Sequence, residues 1–198
     1  MRERPILFSA TMVRAILDGT KTQTRRVCKA AKDHDDGEEY RDTDGWPLFD
    51  ASIDGAGDVR IVSPYGQPGD RLWVRETWRL SIPLLGTGLW PFYRATCHPM
   101  DRDSKGWKPS IHMRREHSRI DLEVTGVRVE RLQEISQEDA RAEGAPPSHP
   151  TIDQISREFG YEDFPRSWYA QLWEQINGTG SWAANPWVWV VEFQRIKP

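Results

Sequence analysis

The spacing of apolar residues switches between helical and strand periods along the chain, and the switches mark its elements. Met12, Ala15, Ile16 and Leu17 recur at intervals of three and four, which predicts an amphipathic helix over residues 11–18 that ends at Gly19. After the turn-rich Pro64-Tyr65-Gly66-Gln67-Pro68-Gly69-Asp70, the stretch Arg71 to Trp78 alternates apolar and polar residues as a strand does. Leu72, Val74 and Thr77 cannot all share one face, so a bend or bulge is expected near Glu76. Trp90 to Thr96 forms a second strand candidate. Ile120, Leu122, Val124, Val127 and Val129 describe one long strand to Leu132 with a kink at Gly126. Ser136 then opens a short helix, with Glu138 and Asp139 in its first turn and Gly144 after Glu143 as its stop. Residues 145–150 form a proline-rich linker. Phe164 to Ile176 is a helix with a Trp168, Leu172, Trp173 stripe, and Pro186 to Ile196 is a closing strand.

Unlike helices and long loops separate these strands, which points to an α+β fold: a mixed sheet or small β-barrel with helices at its ends, not repeated βαβ units. The 198 residues are read as a single domain, with an acidic insertion at about 29–59 and a second polar insertion at about 97–118.

Charge refines this picture without deciding it. The net charge of −3 and pI near 6.0 carry no global signature of nucleic-acid binding. Seven acids and one arginine between Asp33 and Asp44 make that segment −6, however, and leave +3 for the rest of the chain. A modest anion-binding surface therefore fits outside the acidic segment, which itself reads as a solvated insertion. Cys28 and Cys97 are far apart and match no zinc spacing, so two reduced thiols in a cytoplasmic protein are expected. The apolar run Ile6-Leu7-Phe8 is too short for a signal peptide or a membrane span, so no membrane partner is expected. Most of the ten tryptophans fall in predicted elements, where core packing is their default role.

The densest chemistry lies at Gly19-Thr20-Lys21-Thr22-Gln23-Thr24-Arg25-Arg26, where one turn gathers a lysine, three threonines and two arginines. A threonine hydroxyl needs a neighbouring base, and a lysine serves as one only if burial or nearby positive charge keeps it neutral. Arg25 and Arg26 can supply that charge. On a regular strand Lys21 and Thr24 face opposite ways, so they converge only in a turn, which Gly19 permits.

That segment belongs to an ordered set: Gly69-Asp70 leading into a strand, Val129-Glu130-Arg131-Leu132, Glu143-Gly144, and the closing Val190-Val191-Glu192-Phe193. In this order and over nearly the whole chain, the set resembles the ASCH family of the PUA-like superfamily. The turn at Pro64–Asp70, together with Trp107-Lys108-Pro109-Ser110-Ile111-His112-Met113, is similar to ASCH proteins of phages and prophages. The resemblance implies a small β-barrel with helices over its rim, and an association with RNA and modified nucleosides. One small bacterial branch of the family hydrolyses N4-acetylcytidine with a Lys, a Thr and a Glu. Motif matched to motif, these fall on Lys21, Thr24 and Glu143. The acidic and Trp107 insertions depart from that branch and change the expected mouth of the pocket.

Two readings of these residues stand side by side. In one, Thr24 is a nucleophile, Lys21 its base and Glu143 the carboxylate that orients Lys21 or handles the proton of the leaving amine, a contribution of ~10²–10⁴-fold for a positioned acid or base. In the other, Lys21 and Glu143 are an ion pair tying helix to barrel and Thr24 packs. Glu76 either accepts from a cytosine amino group or pairs with Arg71 or Arg75 at the sheet edge. Trp73, Trp78 or Trp107 either stacks on a base, worth ~1–3 kcal/mol, or fills the core. Lys108, Ser110, His112, Arg114 and Arg115, with Arg25 and Arg26, are candidates for phosphate contact or form a solvated charged face. Cys97 and His98 are adjacent with no third ligand nearby, and His34, His117 and His149 lie in polar or proline-rich stretches, so no metal site is drawn from them.

The leading expectation is an enzyme that hydrolyses an acyl amide on a modified cytosine without metal or cofactor, acting on a nucleoside or on single-stranded RNA or DNA. The alternatives are a non-catalytic module that binds RNA or a modified nucleotide in the same pocket, and a metal-dependent ribonuclease built on carboxylates such as Glu76 and Glu143.

Overall fold

A computed structural model describes residues 1–29, 40–41, 47–50, 58–60, 62–83, 87–147 and 164–197. Its elements are β1 (Glu3–Leu7), α1 (Ala10–Leu17), β2 (Gln23–Val27), β3 (Tyr40–Arg41), β4 (Pro47–Asp50), β5 (Asp58–Arg60), β6 (Arg71–Arg75) and β7 (Trp78–Ser81). They continue with β8 (Trp90–Tyr93), β9 (Asp121–Arg131), α2 (Gln137–Ala142), α3 (Phe164–Asn177) and β10 (Trp187–Ile196). The fold is α+β, as the spacing predicts. Among the described residues no helix is long and apolar enough to cross a membrane.

Five strands form the main sheet in the order β1-β6-β9-β10-β2, with β1 and β6 parallel and the other pairs antiparallel. β10 lies between β9 and β2 and is buried on both faces. Its Trp189, Val191 and Phe193 join Val13 and Ile16 of α1 in one core, while Val188 and Val190 join Ala140 of α2 and Tyr169 and Trp173 of α3 in another. Full burial of each such large apolar side chain contributes about 1.5–3 kcal/mol, so the doubly covered β10 anchors both layers. The kink predicted at Gly126 is a bulge: Glu192 pairs with Gly126, Phe193 pairs with Val124, and Thr125 is left over. A Cβ at Gly126 would come within 2.6 Å of Glu192 Oε2, so a side chain there would displace the Glu192 carboxylate.

The sheet does not close into the expected barrel. Among the described residues β1 pairs only with β6 and β2 only with β10, leaving both as edges. Pro5 in β1 has no N–H to offer a closing ladder, which is where proline is tolerated in a sheet. The sheet is nevertheless curled enough that the Arg26 side chain of β2 reaches the Leu7 carbonyl of β1 at 2.7 Å. One guanidinium spans the seam where a strand ladder would complete a barrel.

One further expectation changes. The segment 29–59, expected as a loop throughout, carries the antiparallel set β3-β4-β5, whose strands of two to four residues are too short to show a period; residues 30–39, 42–46 and 51–57, His34 among them, lie outside the described residues. The bend expected near Glu76 is a break at Glu76-Thr77, after which the chain resumes as β7, paired with β8. The second insertion consists of short 3₁₀ turns at Pro99–Asp101, Ser110–His112 and Arg115–His117. Buried Met113 and a backbone bridge between Lys108 and Trp78 hold it to the fold.

Candidate functional site

Ser9 caps α1 with its hydroxyl, and Gly19, at φ +78°, turns the chain out of the helix. Lys21 N donates to the Ala15 carbonyl at 3.1 Å, and Thr22 N donates to the Ala142 carbonyl at 2.8 Å. Lys21 and Glu143 form an isolated antiparallel bridge, and the Thr22 carbonyl accepts from Phe193 N at 2.8 Å. The motif is thus clamped between the end of α2 and the middle of β10. α2 is itself fixed by a capping box: Ser136 Oγ accepts from Asp139 N at 3.0 Å, and Asp139 Oδ2 accepts from Ser136 N at 3.4 Å.

From that clamp the strand period does the rest. Lys21, Gln23 and Arg25 all reach toward α2. Lys21 Nζ donates to Glu143 Oε2 at 2.6 Å and to the Glu143 carbonyl at 2.9 Å, with its side chain wholly out of solvent. Gln23 Nε2 donates to the carbonyl and to Oδ1 of Asp139, both at 3.0 Å. Arg25 reaches Glu143 Oε1 at 3.3 Å, Asp139 Oδ2 at 3.2 Å and Glu130 Oε1 at 3.1 Å. Arg128 adds bonds to Glu130 and Asp139, so three cations face three carboxylates across the α2–sheet contact. Breaking one pair in such a buried set strands a charge, which typically costs 3–5 kcal/mol.

Burial lowers the proton affinity of Lys21; Glu143 pulls it back up, Arg26 and Arg25 push it down, and the net direction is below a free lysine. Arg25 moves the other way: its burial is outweighed by Glu143 and Glu130, which hold the guanidinium charged. The Tyr169 phenol, over which Arg25 lies at 5.9 Å, is pushed well up by burial and stays protonated.

Thr24 is buried on the opposite side of the strand, opposite Val191, whereas Arg25 lies opposite Val190. It lines a cavity of about 50 Å³ with Arg26, Glu143, Tyr169 and Trp173. That volume holds a few water-sized groups, enough for a small acyl group and too little for a nucleobase. The Trp173 indole N–H, buried, has no hydrogen-bond partner among the described residues. The structure therefore joins Lys21 to Glu143, and sets Glu143 and Thr24 around one cavity. Lys21 is not among the residues lining that cavity.

The remaining candidates gather elsewhere. Glu76 is buried and takes a bidentate pair from Arg119, at 2.8 and 3.1 Å, not from Arg71 or Arg75; burial still raises its pKa above the usual carboxylate value. Arg119 in turn lies 3.9 Å over the Tyr93 ring. Trp78 is buried with Lys108 Nζ at 5.1 Å and the His117 ring at 4.4 Å, so its ring is already covered. Trp107 is half-buried, donates to the Asp101 carbonyl at 3.1 Å and carries Arg79 at 4.6 Å. Lys108 and His112 are exposed and Ser110 is half-buried. These residues surround the β7-β8 hairpin, whereas Arg25 and Arg26 belong to the Lys21 region.

Gln23, Asp139, Glu130 and Arg128 were not among the residues singled out from the sequence. Gln23 was within reach of that reading, since it shares the two-residue period of Lys21 and Arg25. The acids facing it depend on where α2 and β9 dock, which no local pattern shows. Among the described residues, no group of three or more His, Cys, Asp or Glu is placed to hold a metal ion. Neither a family model, nor a curated protein, nor a solved structure matches the chain.

Proposed function

We propose that this chain is an ASCH-type hydrolase of the PUA-like superfamily that removes a small acyl group from the exocyclic amine of a modified cytosine. The observation that carries the reading is the Glu143 carboxylate, which binds Lys21 at 2.6 Å and also lines the cavity that Thr24 lines. Thr24 Oγ1 attacks the acyl carbon as its proton passes to the Glu143–Lys21 pair. The pair is reached through Glu143, because Lys21 lies off the cavity wall and Thr24 faces away from it, and the burial of Lys21 favours the neutral amine. The C–N bond then breaks, the amine leaves with a proton relayed by way of Glu143, and water hydrolyses the acyl-threonine. The cavity admits the acyl group while the base lies across its mouth. The curled but open sheet, with Arg26 spanning its seam, serves as the PUA-like frame.

Incubation with N4-acetylcytidine, free and within a short RNA, tests the reading. Release of cytidine that survives a chelator and disappears in Thr24→Ala supports it. Intact substrate at high enzyme concentration overturns it.

A second reading is favoured by one observation: the Lys21 ammonium is spent on Glu143 and lies off the cavity wall. In that reading the chain binds a modified nucleotide without chemistry, and the ion pair only fixes the shape of the pocket. Binding of the acetylated RNA that persists in Thr24→Ala, with no turnover in either protein, identifies this case.

A further inference from the structure

α3 supplies one wall of the cavity that Thr24 and Glu143 share. Tyr169 and Trp173 stand four residues apart, hence on one face of that helix, and both line the cavity. Both are buried, packed with Leu132, Ala140, Val188 and Val190. Their ring centroids lie 6.3 Å apart, and the Tyr169 ring also packs edge-on against Trp182 at 6.4 Å and lies 5.9 Å from the Arg25 guanidinium. Two aromatic side chains held this way present their polar ends from fixed positions, with little freedom left to lose when a ligand arrives.

Both polar ends are donors. The indole N–H is the one polar group of the Trp173 side chain, and it has no hydrogen-bond partner among the described residues. Trp78 also carries an unpartnered indole N–H, but Lys108 and His117 cover its ring, whereas Trp173 stands in a cavity wall. Burial, and then the nearby Glu143, pushes the Tyr169 phenol well up, so it keeps its proton and donates. The other side-chain N–H groups of the wall are already engaged. Arg25 serves Glu130, Asp139 and Glu143; Arg26 donates to the Leu7 carbonyl at 2.7 Å; Asn177 Nδ2 donates to the Trp173 carbonyl at 3.1 Å. An acyl group brings the matching need. Its methyl finds Leu172 and Ile176 in the same wall, while its carbonyl oxygen leaves water on entry and must be met by a donor.

We infer that the Trp173 indole N–H and the Tyr169 hydroxyl together hold the acyl carbonyl oxygen of the ligand and form the oxyanion site of the reaction. As Thr24 Oγ1 bonds to the acyl carbon, the carbonyl π pair moves onto the oxygen, and the two donors take the charge that develops there without giving up their protons. Collapse of the intermediate returns that pair to the C=O bond and expels the amine. Both donors are neutral, so they do not compete with Lys21 and Arg25 for Glu143. The catalytic role rests on the hydrolase reading; the hold on the acyl oxygen does not.

The test compares the wild type with Tyr169→Phe and with a protein carrying benzothienylalanine at position 173, which keeps the shape of the indole and loses its N–H. Thermal unfolding confirms that each is folded. The substrates are N4-acetylcytidine and N4-thioacetylcytidine, whose sulfur is a weak acceptor. Each variant is expected to lose about 10²–10³-fold in kcat on the oxygen substrate, with KM held within about threefold. The loss on the sulfur substrate is smaller, so the preference of the wild type for oxygen over sulfur shrinks about tenfold or more in each variant. Rates within threefold of wild type in both variants overturn the donor pair and leave the hydrolase standing. A fall in kcat that is equal for oxygen and sulfur also overturns the pair, since a merely structural role moves both alike. If the wild type releases no cytidine, the hydrolase reading fails, and calorimetry decides the donors. N4-acetylcytidine bound about tenfold more tightly than cytidine by the wild type, with the difference lost in both variants, keeps the hold on the acyl oxygen. No such difference removes it.

Discussion

Lys21 and Glu143 lie 122 positions apart in the chain and meet at 2.6 Å, with the lysine side chain wholly shielded from water. Glu143 turns its other oxygen to Arg25 at 3.3 Å, so one carboxylate is shared by two buried cations. A pair removed from water this completely contributes little net stability, but it cannot be broken on one side without stranding the other.

Lys21→Met therefore lowers stability by about 3 kcal/mol, the low end for a broken buried pair because Arg25 still serves Glu143. Glu143→Leu costs at least as much. The double variant regains about 1–3 kcal/mol relative to the sum of the two. Urea unfolding of the three variants measures this, and simple additivity contradicts a coupled pair.

Thr24→Val keeps the shape of a buried side chain and removes its hydroxyl. Turnover falls by a thousandfold or more while stability shifts by about 1 kcal/mol, the size of a single hydrogen bond. Thr24→Ser retains measurable turnover. Equal rates in Thr24→Val and the wild type would remove Thr24 from the chemistry.

With Lys21 as the base, kcat/KM rises with pH and levels off at a midpoint below 10.5, because burial lowers its proton affinity. Glu143 is what raises that affinity. Glu143→Gln accordingly moves the midpoint further down even as it reduces the rate. A pH–rate profile of both proteins reads the two shifts, and a midpoint that stays in place separates Lys21 from the titration.

Asp139 tests the acid side. Burial pushes its carboxyl up, but Gln23, Arg25, Arg128 and Ser136 outweigh this and hold it below the ordinary 3.8. A carboxyl with a depressed folded value contributes stability above its unfolded value, and that contribution is lost as pH falls through the folded one. Stability from urea midpoints thus declines below about pH 4 in the wild type and declines less steeply in Asp139→Asn. Glu76, raised by burial, acts with the opposite sign, so Glu76→Gln steepens the acid decline.

Gly144 has φ +97°, and a Cβ there would lie 3.2 Å from the Ala15 Cβ and 3.5 Å from the Lys21 Cβ. Gly144→Ala strains the turn that carries Glu143 and costs about 1–3 kcal/mol. Turnover falls with it. Gly19→Ala, with φ +78° but open space around it, costs about 1 kcal/mol and leaves turnover near wild type.

Much of this architecture was legible because local rules agree with the global fold. Gly19, Ser136 and Gly144 punctuate α1 and α2 where caps are expected, and the two-residue period of β9 survives into the core. The bend at Glu76 and the bulge at Gly126 were likewise foreseeable from faces that could not be reconciled. What escaped depends on docking. Arg119 reaches Glu76 across 43 positions and Asp139 receives Gln23 across 116, distances over which a residue pattern holds no register. Closure escaped for a different reason: whether a curled sheet completes its ladder depends on two edges meeting, and here Arg26 bridges them to the Leu7 carbonyl without a ladder.

Among the described residues β2, which carries Gln23, Thr24, Arg25 and Arg26, is hydrogen-bonded to no strand but β10, and its flanks are tied there as well, through Phe193 N to the Thr22 carbonyl and Cys28 N to the Trp187 carbonyl. During synthesis the motif is made before residues 187–196 and must wait for them before its strand has this neighbour. Loop closure over that separation is slow, and an unpaired edge held open meanwhile is a point of vulnerability for a nascent chain. A chain stopped before residue 187 therefore carries Lys21, Thr24 and Glu143 without the strand that pairs with β2.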